Sequence, residues 1–403
     1  MTATSWVPGA DGSPYGVQTL PYGVFVHAGG APTIGVRVGD FVLDLAAAER
    51  AGLIDAGGVF ATPTLNAFLA TGRPTWQRVR AAIVSLVTSA AAQPAVEPLL
   101  VPLADVEMRL PFEVADYVDF YSSEHHARNV GQIFRPGQPP LTPNWKHLPI
   151  GYHGRAGTVV VSGTEVVRPC GLRRDGDDVT YGPSVRLDIE AEVGFVVGVP
   201  SRHGDRVDVT AFADHVFGVV LLNDWSARDI QAFETVPLGP FLGKSFATSI
   251  SAWVLPVDAL AAARIPAPPQ DPPVAAYLDD PGRHGYDLAI SVSWNGTVVS
   301  RPPFATLYWT PAQQLAHMTV NGASLRTGDL YASGTVSGPR RDETGSFLER
   351  TWNGTEPVTL DDGATRGFLL DGDTVVLSAV APGPDGTNVA LGDVVGTIRP
   401  ARW

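Results

Sequence analysis

The sequence predicts a β-rich α+β protein of two domains, and three observations lead there. Its 403 residues exceed the roughly 250–300 at which a single core usually stops growing, so a boundary is expected. From about Asp116 onward, Gly and Pro punctuate short strand-like runs, and pairs such as Asn295-Gly296 and Asp371-Gly372 read as local turns between neighbouring strands. Neither a glycine-rich phosphate loop nor a regular alternation of strand and helix is present, which argues against a parallel, doubly wound sheet.

In the first hundred residues, Tyr22 to Val26 and Ile34 to Leu45 carry strand-forming residues around a Gly39-Asp40 turn, whereas Thr64 to Thr71 and Thr75 to Ala91 read as helices. Between Ala92 and Pro111 the pattern becomes Val and Leu interrupted by Pro, and the boundary is placed there. Beyond it, strands are expected at Thr158 to Val161, Asp188 to Val197, Val216 to Leu222, Leu288 to Trp294, Asp329 to Ser333 and Thr374 to Val380. One helix announces itself with Thr310 as N-cap, Pro311 at its first position and Gln313 to Met318 as its body.

Charge and composition narrow the function classes. Acidic residues outnumber basic ones by 41 to 28, and the basic residues form no stripe, so nucleic acid is not the expected partner. Cys170 is the sole cysteine, which rules out an intrachain disulfide or a cysteine-built metal cluster; between Pro169 and Gly171 it reads as a turn residue. No run approaches the roughly 18 apolar residues of a membrane span, and the first residues lack a basic-then-apolar leader, so a soluble cytoplasmic protein without membrane contact is expected. Asn295-Gly296-Thr297 and Asn353-Gly354-Thr355 match a glycosylation pattern but read better as tight hairpin turns.

The chemistry begins in Arg186 to Val197, where apolar and acidic residues alternate. Side chains of a strand change face at each residue, so Asp188, Glu190 and Glu192 oppose Leu187, Ile189, Ala191 and Val193. Two carboxylates at spacing two lie about 6.5 Å apart and repel unless a positive charge sits between them; oxygen donors alone favour a hard cation. An ordinary half-buried strand with one wet face fits the same pattern.

The apolar run Val216 to Leu222 stops at Asn223-Asp224-Trp225-Ser226-Ala227-Arg228-Asp229-Ile230-Gln231. A helix starting at Asn223 or Asp224 would set Asp224, Arg228 and Gln231 on one face, either as a site or as a capped helix with a surface ion pair. Of the adjacent imidazoles His125 and His126, at most one can enter a given site. The loops Leu148 to Arg155, Pro237 to Thr248 and Tyr331 to Gly338 are rigid, Gly- and Pro-containing segments that present Tyr152, Arg155, Lys244 and Thr248, and Glu349 follows soon after the last of them.

Five strings carry a resemblance: Asp119-Phe-Tyr-Ser-Ser, Asn144-Trp-Lys-His-Leu-Pro-Ile-Gly-Tyr-His-Gly-Arg-Ala, Asn223-Asp-Trp-Ser-Ala-Arg-Asp-Ile-Gln, Pro237-Leu-Gly-Pro-Phe-Leu-Gly-Lys-Ser-Phe and Ala332-Ser-Gly-Thr-Val-Ser-Gly. Together they resemble the fumarylacetoacetase family from Asp116 to the end, and more weakly before it. The resemblance implies a small N-terminal SH3-like, barrel-like domain over residues 1–112, a catalytic β-roll domain over 113–403, and a homodimer.

It also implies a metal-dependent hydrolase that cleaves a carbon–carbon bond of a small β-diketo acid, 4-fumarylacetoacetate, in the last step of tyrosine and phenylalanine catabolism. Asp119, Glu190, Glu192 and Asp224 would surround a calcium or magnesium ion, with Lys244 and Thr248 near a second cation. His126 would be the general base, oriented by Glu349; Arg228, Gln231 and Lys244 would stabilise negative charge on substrate oxygen. Tyr121, Arg135, Tyr152, Gln231 and Thr335 match substrate-contacting positions. Thr235 stands where the family usually has a substrate-binding Tyr, Ala247 replaces a Gly beside the second cation, and Asp188 falls outside the cluster as a neighbouring surface or supporting acid. Two other readings stay open: a relative that cleaves acylpyruvates or decarboxylates oxaloacetate, and a non-catalytic binding protein stabilised by metal.

Overall fold

The computed structural model describes residues 4–402, a mixed, sheet-rich α+β arrangement. Near the N-terminus, Tyr22–His27, Thr33–Val38 and Phe41–Asp44 form the expected antiparallel meander, and the second turn closes where Val38 pairs with Phe41. Gly39 in that turn has φ +57, and a Cβ there would lie 2.7 Å from the Gly9 backbone, so only glycine fits. The helix Arg73–Thr88 carries Pro in its first turn and buries Trp76, Val79, Ile83 and Val87 along one stripe.

Later strands continue the sheet that the meander begins. Tyr22 pairs with Val254 of the strand Trp253–Pro256, and the sheet continues through Val216–Asp224, Ala191–Val197, Leu330–Ala332, Tyr117–Phe120 and Gly151–His153. All of these neighbours are antiparallel except the last but one pair, in which Leu330–Ala332 runs parallel to Tyr117–Phe120. A second sheet is built around Ala289–Trp294, Thr374–Pro382 and Val394–Arg399, with Asn295-Gly296 making a hairpin turn at φ +49 and +88.

Between the sheets lies one apolar cluster that includes Phe195, Leu221, Trp225, Leu255, Ile290, Trp294 and Leu377. Each such side chain, fully buried, contributes about 1.5–3 kcal/mol. The strand Ala191–Val197 is buried on both faces, so the half-wet strand is not what forms. Val193, Phe195 and Val197 join that cluster, whereas Val196 faces a second core shared with the N-terminal strands through Tyr22, Val24 and Val36. Gly194 allows this close packing: a Cβ there would meet Leu330 and Val220 side chains at 2.9 Å.

Three local expectations are corrected. No helix begins at Asn223 or Asp224: the strand runs on to Asp224, because Asn223 pairs with Ala191 and Ser249 and Asp224 with Thr248, and the helix Arg228–Glu234 starts four residues later. Asn353-Gly354 follows the short helix Phe347–Arg350 rather than closing a hairpin. Cys170 opens the strand Cys170–Asp175 instead of occupying a turn. The helix Pro311–Thr319 forms as expected, with Thr310 and Gln313 in a reciprocal capping box.

Candidate active site

The site sits where one face of the main sheet runs out of apolar residues. On that face Tyr117, Leu330, Val220 and Leu222 belong to the shared core. One step further along the strands the same face carries Asp119, Glu192 and Asp224, all buried. Glu190 precedes the strand, and its backbone is tied to the neighbouring one: its N–H donates to Asn223 Oδ1 at 3.2 Å and its carbonyl accepts from Asp224 N at 3.1 Å. Carboxylates from three strands thus meet at one end of the sheet.

Oxygens of Asp119, Glu190 and Glu192 lie within 4.8 Å of one another. Asp119 Oδ1 and Glu192 Oε1 are buried without a hydrogen-bond partner, while Glu192 Oε2 accepts from Gly334 N at 3.1 Å. Burial, reinforced by Asp224, raises the Asp119 carboxyl well above its ordinary range, and burial beside Asp119 does the same to Glu192. Asp119 and Glu192, each with an unsatisfied oxygen, complete with Glu190 an all-oxygen donor set that fits a hard divalent cation.

Glu190 behaves oppositely. Burial pushes its carboxyl up, but Lys244, Arg228 and His126 outweigh that and hold it far below the usual carboxylate range. Arg228 Nη1 lies 2.8 Å from Glu190 Oε1, and the Lys244 ammonium contacts Glu190 Oε2 and, at 2.8 Å, Asp224 Oδ2. Burial opposes charge on both cations, yet Asp224 and Glu190 keep Lys244 protonated, and Glu190 and Asp188 keep Arg228 so. An ammonium has no lone pair, so the Lys244 side chain cannot itself ligate a metal. Asp224 also accepts from Thr248 Oγ1 at 2.7 Å and from the Tyr152 hydroxyl at 3.1 Å. Tyr152 is brought there by pairing with Asp119 across the sheet edge.

His126 enters from the helix Glu124–Phe134, whose N-cap Ser123 accepts from the His126 N–H at 3.2 Å. His126 is buried while His125 is not, as the one-face argument requires. His126 Nδ1 lies 2.7 Å from Glu349 Oε2, which leaves Nε2 facing Glu190 Oε1 at 4.0 Å. Glu349 is fully buried and also accepts from Asn129 at 2.9 Å, Ser337 at 3.0 Å and Ser346 at 2.7 Å. Burial would raise its carboxyl, but His126 and these hydrogen bonds hold it below its ordinary range. A carboxylate so placed keeps the Nδ1 proton on the ring and Nε2 free to accept one.

The remaining expected residues surround this centre. Gln231 Oε1 accepts from Arg228 Nη1 at 3.1 Å, one helical turn along the same helix. The Tyr121 ring meets that of His126 edge-on at 5.3 Å, and burial raises its hydroxyl. Arg135 follows the His126 helix and donates to Pro140 O at 3.0 Å. Thr335 is buried with its hydroxyl unpartnered, whereas Thr235 bonds its own helix at Gln231 O, 2.6 Å away. Ala247 is buried next to Thr248.

Asp188 is not a surface acid. It is fully buried, accepts from Arg228 Nε at 2.8 Å, and takes the N–H groups of Phe347 and Leu348 at 2.7 and 3.0 Å. It therefore joins Arg228 to the helix bearing Glu349. Asn129, Ser337 and Ser346 were also missed; of these only Asn129 carries a sequence signal, lying three residues after His126 on the same helical face.

A buried imidazole paired with a carboxylate, beside two fixed positive charges and a carboxylate cluster that could hold a metal ion, is an arrangement suited to general-base hydrolysis. The comparisons agree with that class. Residues 18–111 match the family described as Fumarylacetoacetase N-terminal, and residues 116–399 match Fumarylacetoacetate (FAA) hydrolase C-terminal. The chain belongs to the fumarylacetoacetase family. Curated fumarylacetoacetases include one from Oryza sativa subsp. japonica, 45% identical over 98% of this chain and 97% of its own length. Others are from Homo sapiens, at 43%, and Caenorhabditis elegans, at 46%, each covering 98% of this chain and 99% of its own length. A solved fumarylacetoacetate hydrolase from psychrophilic Exiguobacterium antarcticum shares the fold, with a TM-score of 0.55 and 16% identity over 95% of this chain and 100% of that one.

Proposed function

We propose that this enzyme hydrolyses the carbon–carbon bond of 4-fumarylacetoacetate, releasing fumarate and acetoacetate in the last step of tyrosine and phenylalanine catabolism. The observation that carries the reading is the His126–Glu349 pair, 2.7 Å apart and aimed at a buried carboxylate cluster, in a chain 43–46% identical to fumarylacetoacetases over 98% of its length. Asp119, Glu190, Glu192 and Asp224 would hold a calcium or magnesium ion; Thr248, with the carbonyl rather than the ammonium of Lys244, would serve a second cation. When bound, such an ion supplies Lewis acidity to the oxygens of a 1,3-diketone.

The chain's own groups account for the rest. His126 Nε2 takes a proton from water as the water oxygen bonds the fumaryl carbonyl carbon, and Glu349 stabilises the imidazolium formed. Arg228, Gln231 and Lys244 hold the oxyanion; a preorganised donor of this kind is worth about 3–4 kcal/mol. The carbon–carbon bond then breaks, and the imidazolium returns its proton to the departing acetoacetate carbon. Tyr121, Arg135, Tyr152 and Thr335 would line the substrate pocket.

The same reading extends to organisation. Residues 1–112 would form the N-terminal SH3-like, barrel-like domain and residues 113–403 the β-roll domain, although their strands share one sheet. A homodimer is supported by exposed apolar side chains on the 170–183 hairpin and the 236–242 loop, among them Leu172, Tyr181 and Leu238. No single helix among the described residues is long and apolar enough to cross a membrane, in keeping with a cytoplasmic enzyme. Following the ultraviolet absorbance of fumarylacetoacetate with and without chelator tests substrate and metal together. The expected result is loss of absorbance that chelation stops and calcium or magnesium restores. His126→Ala is expected to bind metal and lose turnover; faster loss of an acylpyruvate or oxaloacetate than of fumarylacetoacetate would reject the substrate.

A further inference from the structure

The Lys244 ammonium works at the centre of the site, yet the segment leading to it has almost no core. Val236 and Leu238 are 86% and 96% exposed, and Phe241 and Leu242 also face outward. Within one chain, apolar burial therefore does little to fix the strap's backbone, and a long side chain growing from a loosely held backbone has a poorly defined reach. A carboxylate ties the strap to the helix before it. Glu234, the last residue of the helix Arg228–Glu234, accepts three consecutive backbone N–H groups: Phe241 at 2.8 Å and Gly243 at 2.8 Å on Oε1, and Leu242 at 3.0 Å on Oε2.

The other end of the helix is tied as well. Gly243 O accepts from Ala227 N at 2.8 Å, immediately before Arg228. Gly243 lies so close that a Cβ on it would come 2.7 Å from Gln231 N and 2.8 Å from Gln231 Cβ. The strap is therefore bonded at both ends of the helix and pressed against its middle, one residue before Lys244. We propose that Glu234 is a positioning residue for Lys244: it staples residues 241–243 to the helix that carries Arg228 and Gln231, so that ammonium, guanidinium and amide are presented to the substrate as one rigid unit. Charged acceptors make stronger hydrogen bonds than neutral ones, and one carboxylate spanning three amides leaves no single-bond substitute.

This inference rests on the proposed hydrolysis, and the experiment separates the two. Wild type, Glu234→Gln, Lys244→Met and the double variant are assayed with metal on fumarylacetoacetate, at enzyme concentrations that reveal residual turnover, alongside thermal melting. Glu234→Gln should lower kcat roughly tenfold or more while KM stays within about threefold, whereas in the Lys244→Met background it should change kcat by less than about twofold. Gly243→Ala, which keeps the Glu234 carboxylate but pushes the strap off the helix, should show the same dependence on Lys244.

Equal losses in both backgrounds would mean that Glu234 acts through general stability, and would overturn the proposal. So would full activity of Glu234→Gln, or full activity of Lys244→Met, which leaves nothing to position. A wild-type protein that leaves fumarylacetoacetate intact would instead remove the proposed function and this inference with it.

Discussion

Replacing Glu349 with Gln tests whether the His126 partner acts by charge as well as by shape. The amide fits the same space: its oxygen can take the hydrogen bonds that His126, Ser337 and Ser346 now give Oε2, and its NH₂ can face Asn129, whose own amide can flip to accept. Only the negative charge is lost. An imidazolium and a carboxylate about 4 Å apart between charge centres attract by about 4 kcal/mol at an effective dielectric constant of 20. The neutral hydrogen bond that remains retains about 1 kcal/mol of this. About 3 kcal/mol then disappears from the state in which His126 holds the water proton, a fall of roughly 10² in kcat at 1.36 kcal/mol per tenfold. The assay is initial-rate loss of fumarylacetoacetate absorbance with saturating metal, with the melting temperature measured in parallel. A variant that folds and turns over within about threefold of wild type would refute the argument, because a base oriented by shape alone would not notice the missing charge.

Two further outcomes follow from the same electrostatics. Asp188→Leu leaves the Arg228 guanidinium buried without its Nε partner and strips the Phe347 and Leu348 N–H groups of theirs, so urea unfolding should show a loss of about 3–5 kcal/mol. A loss below about 1 kcal/mol would show that Arg228 does not depend on Asp188. The Asp119 and Glu192 carboxyls are raised by burial, so the metal-free folded chain holds protons that the unfolded chain has released, and its stability falls as pH rises above the ordinary carboxylate range. A divalent ion binds the ionised form, so the rise in melting temperature on adding calcium should be larger at about pH 8 than at about pH 5. Equal shifts at both pH values would count against these carboxyls as ligands.

What could be read beforehand divides along physical lines. Local signals survived wherever short-range geometry decides: the Gly39 turn, the Asn295-Gly296 hairpin and the Thr310 N-cap all formed as expected. The start of the helix after Asp224 did not, and the reason is tertiary. Asn223 and Asp224 are good N-cap residues, but their backbones are claimed by Ala191, Ser249 and Thr248, and the ladder extends the strand. Spacing alone could pair Glu190 with Glu192; it had no means of finding Asp119 or Asp224, which are neighbours only because parallel and antiparallel pairings bring three distant strands to a common end.

The extended strand also explains how charge is distributed in the cluster. On a helix Asp224 would have shared a face with Arg228 and paired with it. At a strand end, Asp224 faces Lys244, Tyr152 and Thr248, and Arg228 is released to bridge Asp188 and Glu190. Each buried cation therefore binds Glu190 and one further acid, and Glu190 becomes the carboxylate held most firmly ionised. Asp119 and Glu192, which no cation in the chain touches, keep free oxygens beside it. Two carboxyls that cannot ionise comfortably next to one that must is an arrangement a divalent ion resolves, and it exists because the sheet, not a helix, carries Asp224.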